Sequence, residues 1–263
     1  MRLHRFALAA TLLAFAAQAA PREIDVAFEA RNLQRSTSFD SLYIEGPKLQ
    51  LTGRFAVPEG SGPFPAVIHL HGCTGANPPR DGAWVERFTS WGFVVLRLDS
   101  LGPRAKTCNS SGDLPSFDRA VDAYSAKEWL SQRPEIDILA GWSHGGAAVL
   151  TALGSSPPLF GARKGTKPFV AGIAFYPDCF TPNEVQAPVL ILIGDADTWS
   201  PVNLCRQMQE HPKIRLVVYP GAYQGFDIPG ADHVMLGHRI KHSPQAEEAS
   251  VSAVKSLIGG LAP

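Results

Sequence analysis

Gly141-Trp142-Ser143-His144-Gly145-Gly146 follows the apolar run Ile136-Asp137-Ile138-Leu139-Ala140 and leads into Ala147-Ala148-Val149-Leu150. Strand, abrupt turn and helix form the context in which G-x-S-x-G marks a nucleophile elbow. Such a turn forces Ser143 into a strained backbone conformation and holds its hydroxyl above the end of a sheet. Glycines are required at 141 and 145, because a side chain at either place would collide with the neighbouring strand or helix. The free N–H groups at the start of the following helix can stabilise an oxyanion. Ser143 is therefore the candidate nucleophile. The alternative, an incidental turn serine in a glycine-rich chain, leaves the flanking strand and helix unexplained.

The flanking sequence repeats the alternation. Residues 49–57 (LQLTGRFAV) read as a strand, with Pro58-Glu59-Gly60-Ser61-Gly62-Pro63 as its turn. Residues 64–70 (FPAVIHL) and 93–98 (FVVLRL) read as buried strands around a helix over 83–91 that Gly92 stops. Ser116 is a candidate N-cap for a helix reaching Trp129-Leu130, with Phe117, Ala120, Val121 and Tyr124 on one face. Three further strands are expected at 169–175, 189–193 and 214–219, and Ser243-Pro244 opens a last helix that ends at Gly259. Continuous apolar strands alternating with amphipathic helices predict a mostly parallel sheet covered by helices on both faces. Ligands then bind beyond the carboxyl ends of the strands.

Composition points to one domain over residues 21–263, with no repeat or low-complexity tract. Lys+Arg and Asp+Glu are equal at 24 each, which argues against nucleic acid or an anionic membrane as the main partner. Residues 1–20 read as a signal peptide: a basic Met1-Arg2-Leu3-His4-Arg5, an apolar stretch over 6–17, and Ala17-Gln18-Ala19 as a small-x-small cleavage site. No later apolar run approaches a membrane span. The protein is expected to be exported, to the periplasm or beyond. Cys73, Cys108, Cys179 and Cys205 would then meet an oxidising compartment. Cys73–Cys108 and Cys179–Cys205 are the expected pairs, each joining loops after neighbouring strands; free buried thiols are the alternative. The spacing offers no metal site, and no cofactor is expected.

A serine nucleophile needs a base, an orienter for the base, and oxyanion donors. In this architecture the chain order is Ser, acid, His. The acid lies in Gly194-Asp195-Ala196-Asp197, and Asp197 is preferred because it projects further into the loop while Asp195 can fold the turn onto its own backbone. The oxyanion donors are expected to be the backbone N–H groups of His144 and Cys73, the latter in His71-Gly72-Cys73-Thr74-Gly75. His71 precedes the serine and reads as structural. The base should follow the strand at 214–219, but Tyr223-Gln224-Gly225 stands there without a histidine. An amide cannot take a proton near neutral pH. His211 precedes that strand and His242 abuts the last helix, which leaves His233 and His238. His233 is nearer the expected loop and is the tentative substitute base; a solvated loop histidine is its equally simple reading.

These residues resemble the dienelactone hydrolase family of α/β hydrolases, in particular its exported, serine-containing members. The resemblance runs from about Leu49 to the last helix. It rests on Phe64-Pro65-Ala66-Val67, on His71-Gly72-Cys73-Thr74-Gly75 and on Asp99-Ser100-Leu101-Gly102-Pro103-Arg104. It continues through the Ser143 motif, Tyr176-Pro177-Asp178-Cys179, Gly194-Asp195-Ala196-Asp197 and Tyr219-Pro220-Gly221-Ala222-Tyr223. It implies an α/β-hydrolase fold and a Ser-Asp-His triad acting on small esters or lactones, with Asp197 as the acid. Many better-known members carry cysteine where Ser143 stands. The family's histidine falls at Gln224, and the segment before the elbow is a few residues short. Two functions follow as expectations: a serine hydrolase of small esters or lactones working through an acyl-enzyme, or an impaired relative that binds a ligand with little turnover.

Overall fold

The computed structural model describes residues 21–35, 43–106, 114–131, 137–154, 166–180 and 184–261. Residues 1–20, where a signal peptide is expected, and Cys108 lie outside the described residues.

Strand β1 (Arg22–Ala30) pairs antiparallel with β4 (Leu49–Val57), and β2 (Leu33–Arg35) with β3 (Tyr43–Glu45). The apolar runs recognised in the sequence form β5 (Ala66–Leu70), β6 (Val94–Asp99), β7 (Asp137–Trp142), β8 (Ala171–Phe175), β9 (Val189–Gly194) and β10 (Ile214–Tyr219). Among the described residues, eight strands make the main sheet in the order β1-β4-β6-β5-β7-β8-β9-β10. All pairs from β6 to β10 are parallel; β1, β4 and β6 pair antiparallel. This is the mostly parallel sheet that continuous apolar strands require, since β5, β7, β8 and β9 are buried at every residue.

Helix α1 (Pro78–Ser90) packs on β4 and β6, α2 (Ser116–Leu130) on β1 and β5, and α3 (His144–Leu153) on β7 and β8. Helix α4 (Val202–Met208) follows β9 and α5 (Pro244–Gly259) closes the fold. Helix α1 starts five residues before the expected 83. Asn77 caps it by accepting the Arg80 N–H at 3.2 Å, while its own N–H donates to Asp81 Oδ2 at 2.8 Å. Pro78 and Pro79 thus sit in the first turn, where no N–H is needed. Ser116 is not the N-cap of α2. Pro115 occupies the boundary with extended backbone, and the Ser116 hydroxyl accepts from Thr151 Oγ1 at 3.1 Å. Ser243 caps α5 by accepting the Ala246 N–H at 3.3 Å.

A hairpin of β11 (Asp232–Met235) and β12 (His238–Lys241) follows β10. Its tip is Leu236-Gly237, both left-handed at φ 51° and 85°. The hairpin is bolted to the main fold through the Gln224–Ile240 bridge and the Lys241 N–H donating to Gln224 O at 3.2 Å. A disulfide joins Cys179, after β8, to Cys205 on α4. Cys73 is also disulfide-bonded, and its expected partner Cys108 falls outside the described residues.

Candidate active site

Ser143 lies between the buried end of β7 and the first residue of α3, with φ 54° and ψ −119°. A non-glycine residue pays strain for that conformation and holds it only where its surroundings demand it. Here the Ser143 N–H donates to Phe175 O at 2.8 Å and its carbonyl accepts from Ala147 N at 3.0 Å. The glycines are sterically obligatory. A Cβ on Gly141 would lie 2.1 Å from Gly145 O, and one on Gly145 would lie 2.3 Å from Leu70 O. Strand β7, helix α3 and the end of β5 therefore approach backbone to backbone, and Ser143 is held at their junction.

Gln224 meets the hydroxyl. Its Nε2 donates to Ser143 Oγ at 2.9 Å across 81 residues of chain. The side chain is 5% exposed, and its Oε1 has no hydrogen-bond partner among the described residues. Gly225, left-handed at φ 68°, has no room for a side chain: a Cβ would lie 2.8 Å from Ile228 and Ile240. The turn after β10 and the hairpin together thus fix where Gln224 points.

Asp197 is buried in the loop after β9. Its Oδ1 accepts the N–H groups of Trp199 (2.8 Å) and Ser200 (3.0 Å), while Oδ2 has no partner among the described residues. Asp195 is exposed and accepts the Gly221 N–H at 2.6 Å, so it ties the β9 and β10 turns together. Burial pushes the Asp197 carboxyl up to about 6, against the pull of the Ser200 and Trp199 N–H groups. Its unfolded value is about 3.9, so the folded state holds the proton more tightly. The associated stability is complete below about pH 4 and is lost as pH rises through about 6. Asp197→Asn keeps an oxygen for both N–H groups and escapes the charge penalty. Relative to the parent at each pH, it should gain about 2–3 kcal/mol between pH 4 and pH 8. Urea unfolding at both values checks this, and a difference that does not move with pH would refute it.

The structure does not bring His233 to the serine. His233 is exposed on β11, and its imidazole makes no hydrogen bond with Ser143 or Asp197. The reason is hairpin register: the two-residue turn at Leu236-Gly237 sets His238, not His233, against the acid loop. His238 Nδ1 lies 3.0 Å from Thr198 Oγ1 and its ring 5.1 Å from that of Trp199. His211 lies before β10, where its Nδ1 accepts the Lys213 N–H. His242 is engaged by Glu247 at 2.6 Å. His71 is buried and its Nδ1 donates to Gly72 O at 2.6 Å. Among the described residues, Gln224 is the side chain hydrogen-bonded to Ser143 Oγ. His144 opens α3, and Gly72 lies against the elbow, since a Cβ on it would be 3.8 Å from Ser143 Cβ. The segment carrying Cys73 therefore faces the serine across a short gap.

Ser143, Asp197 and Gln224 follow β7, β9 and β10 in turn, and the sequence matches the dienelactone hydrolase family over residues 51–261. The chain belongs to that family. Solved structures share the fold at low identity. A Klebsiella pneumoniae protein solved under the dienelactone hydrolase name is 14% identical, with 88% of this chain and 98% of that chain covered and a TM-score of 0.62. A thermophilic esterase from Thermogutta terrifontis, with butyrate bound, is 17% identical over 88% and 94% of the two chains, at a TM-score of 0.60. A dienelactone hydrolase-like promiscuous phosphotriesterase from metagenomic libraries is 19% identical over 90% and 98%, at a TM-score of 0.60. A search of curated proteins finds no match.

Two groups in this dienelactone hydrolase-family chain escaped the sequence reading. Asp227 is fully buried three residues after Gln224. It accepts Trp84 Nε1 (2.8 Å) and Trp142 Nε1 (2.7 Å) on Oδ2, and the Tyr176 hydroxyl (2.7 Å) on Oδ1. Trp142 precedes Ser143, and Tyr176 follows the residue that accepts its N–H, so one carboxylate ties the elbow to the Gln224 loop. The second is Arg119, buried in the first turn of α2 beneath His71 and His144. The only available signals were an acid between two apolar residues, Phe226 and Ile228, and a cation inside a helix of small residues.

Proposed function

We propose that this protein is an exported serine hydrolase of small carboxylic esters or lactones that works through an acyl-enzyme on Ser143 and turns over slowly. One observation carries the reading: the hydroxyl of a strained elbow serine meets Gln224 Nε2 at 2.9 Å, where a base should stand. Ser143 Oγ attacks the carbonyl carbon, and the ester C–O bond breaks as the acyl group moves to the serine. The N–H groups of Cys73 and His144 receive the oxyanion. Gln224 orients the hydroxyl but takes no proton near neutral pH, so water accepts the serine proton and supplies one to the departing alcohol, and a second water then cleaves the acyl–Ser143 bond to release the acid and restore the hydroxyl. An oxyanion site and binding without a complete triad still provide about 10³–10⁴-fold over the uncatalysed reaction. Export is supported by the leader-like first twenty residues and by the Cys179–Cys205 bridge. A ligand-binding protein with little turnover is the second reading, favoured by the idle Gln224 Oε1.

A fluorophosphonate probe tests the nucleophile without needing turnover. The purified protein should be modified at Ser143, and Ser143→Ala should not react. A protein left unmodified after prolonged exposure, or one modified elsewhere, overturns the acyl-enzyme reading.

A further inference from the structure

Arg119 is 1% exposed. Its Nη2 donates to His71 O at 2.5 Å and its Nη1 lies 3.2 Å from His144 Nδ1. Nε has no partner among the described residues. A 3.4 Å approach of Nη2 to His71 Nδ1 is not a hydrogen bond, because that nitrogen carries the hydrogen given to Gly72 O. None of these partners is an acid. Asp122, one turn along α2, gives both its oxygens to Arg104 at 2.8 and 2.9 Å, and Asp99 Oδ1 accepts the N–H groups of Leu101 and Gly102. A buried cation without a carboxylate on it costs several kcal/mol of desolvation. Burial brings its pKa down to about 10, which still leaves it charged at neutral pH.

The location gives that charge a use. His71 O belongs to the segment that leads into Cys73, and His144 opens α3 directly after the nucleophile. A guanidinium only donates, so His144 Nδ1 must accept and its proton must sit on Nε2. The same contact keeps His144 from serving as a base. Asp122 and Asp99 attract this cation from a distance without bonding to it, and an oxyanion forming at the Cys73 and His144 N–H groups would add negative charge on the side that faces the serine. A fixed charge aimed at charge that develops in the transition state accelerates the step, because it needs no reorganisation.

We infer that Arg119 is a positioning residue for the oxyanion site: its guanidinium fixes His144 as the Nε2–H tautomer, braces the His71 carbonyl, and places positive charge behind the backbone donors. The inference rests on the Ser143 reading. The groups facing His144 and Arg119 are His71 from the loop after β5, Asp122 and Arg104 as an ion pair, Asp99 at the end of β6, and the Arg80 guanidinium of α1. Within that set burial holds His144 neutral, down to about 4, and the Arg119 charge acts in the same direction.

Three measurements test it. Nitrogen-edited NMR of the wild-type protein should find His144 neutral with its proton on Nε2 from pH 5 to 8. In Arg119→Met its titration should move up while staying below the ordinary value of about 6.5, because burial still acts on it. Phenylboronic acid, which forms an anionic tetrahedral adduct on a nucleophilic serine, should bind Arg119→Met at least ~10-fold more weakly than wild type, and Arg119→Lys within ~3-fold of it. Hydrolysis of p-nitrophenyl butyrate should lose kcat by ~10–100-fold in Arg119→Met with KM nearly unchanged. No adduct with the wild-type protein overturns the Ser143 reading and this role with it. Equal adduct affinity in wild type and Arg119→Met leaves Ser143 standing and overturns the role of Arg119, as does a lysine variant as weak as the methionine one. If Arg119→Met does not fold, the wild-type spectrum and Arg119→Lys still decide. An Nδ1–H tautomer in the wild type overturns the contact itself.

Discussion

Gln224→His should raise kcat on a small ester by about 10²–10³-fold. The geometry already waits for an imidazole. Gln224 Nε2 stands 2.9 Å from Ser143 Oγ, so position 224 reaches that hydroxyl. The amide presents a donor there, which leaves the serine proton with no acceptor. Two buried oxygens, Gln224 Oε1 and Asp197 Oδ2, have no hydrogen-bond partner among the described residues. An imidazole reverses the polarity at the serine, with one nitrogen accepting the hydroxyl proton and the other donating to the acid. Removing the idle Oε1 and supplying a donor to Oδ2 ends both deficits in a single substitution. The new activity should rise with pH between 5 and 8, as the imidazole and Asp197, whose carboxyl sits at about 6, lose their protons. Steady-state kinetics of the purified variant, with Gln224→His/Ser143→Ala as the control, measure the gain. An increase below threefold, or one that survives loss of Ser143, would mean that the site is not a triad lacking its base.

What the sequence revealed follows from how local each requirement is. The elbow is legible because its glycines answer a local clash: the added Cβ atoms meet backbone carbonyls at 2.1 and 2.3 Å. Strands β5, β7, β8 and β9 are legible because burial on both faces demands continuous apolar runs. Strand β1 carries no such run. Ile24 is exposed, and in its second half only Phe28 and Ala30 are buried. Its existence depends on β4, 35 residues away at the Arg22–Val57 end and 19 at the Ala30–Leu49 end, rather than on its own pattern. The choice between His233 and His238 was out of reach, because Leu236-Gly237 is not one of the usual hairpin dipeptides and the register decides which imidazole meets the acid loop. Arg119 and Asp227 read as surface charges in one dimension. Their burial comes from partners 25 to 143 residues away.

Asp227→Ala should cost about 4–5 kcal/mol of stability and lower the melting temperature by roughly 10–15 °C. The carboxylate has no exposed surface and satisfies three buried donors. Removing it leaves two indole N–H groups and a phenol without acceptors in a ring of stacked aromatics, where Trp142 lies 4.8 Å from Phe175 and 5.8 Å from Trp84. Each orphaned donor costs about 1–3 kcal/mol. Arg80, whose guanidinium lies 5.5 Å from the Trp142 ring, also loses a nearby negative charge, although Asp81 still holds it at 2.6 Å. Asp227→Asn separates hydrogen bonding from charge. Its oxygen can still take both tryptophans, because they share Oδ2, and its amide can donate to the Tyr176 oxygen. Only the phenol proton is left without an acceptor, so the asparagine variant should lose about 1–2 kcal/mol. Activity should fall in the same order, since Trp142 precedes Ser143, Tyr176 follows the carbonyl that takes its N–H, and Asp227 lies three residues beyond Gln224. Calorimetry and esterase rates on both variants check the ranking. Equal losses in alanine and asparagine would show that the charge, and not the three hydrogen bonds, holds Ser143 and Gln224 in one frame.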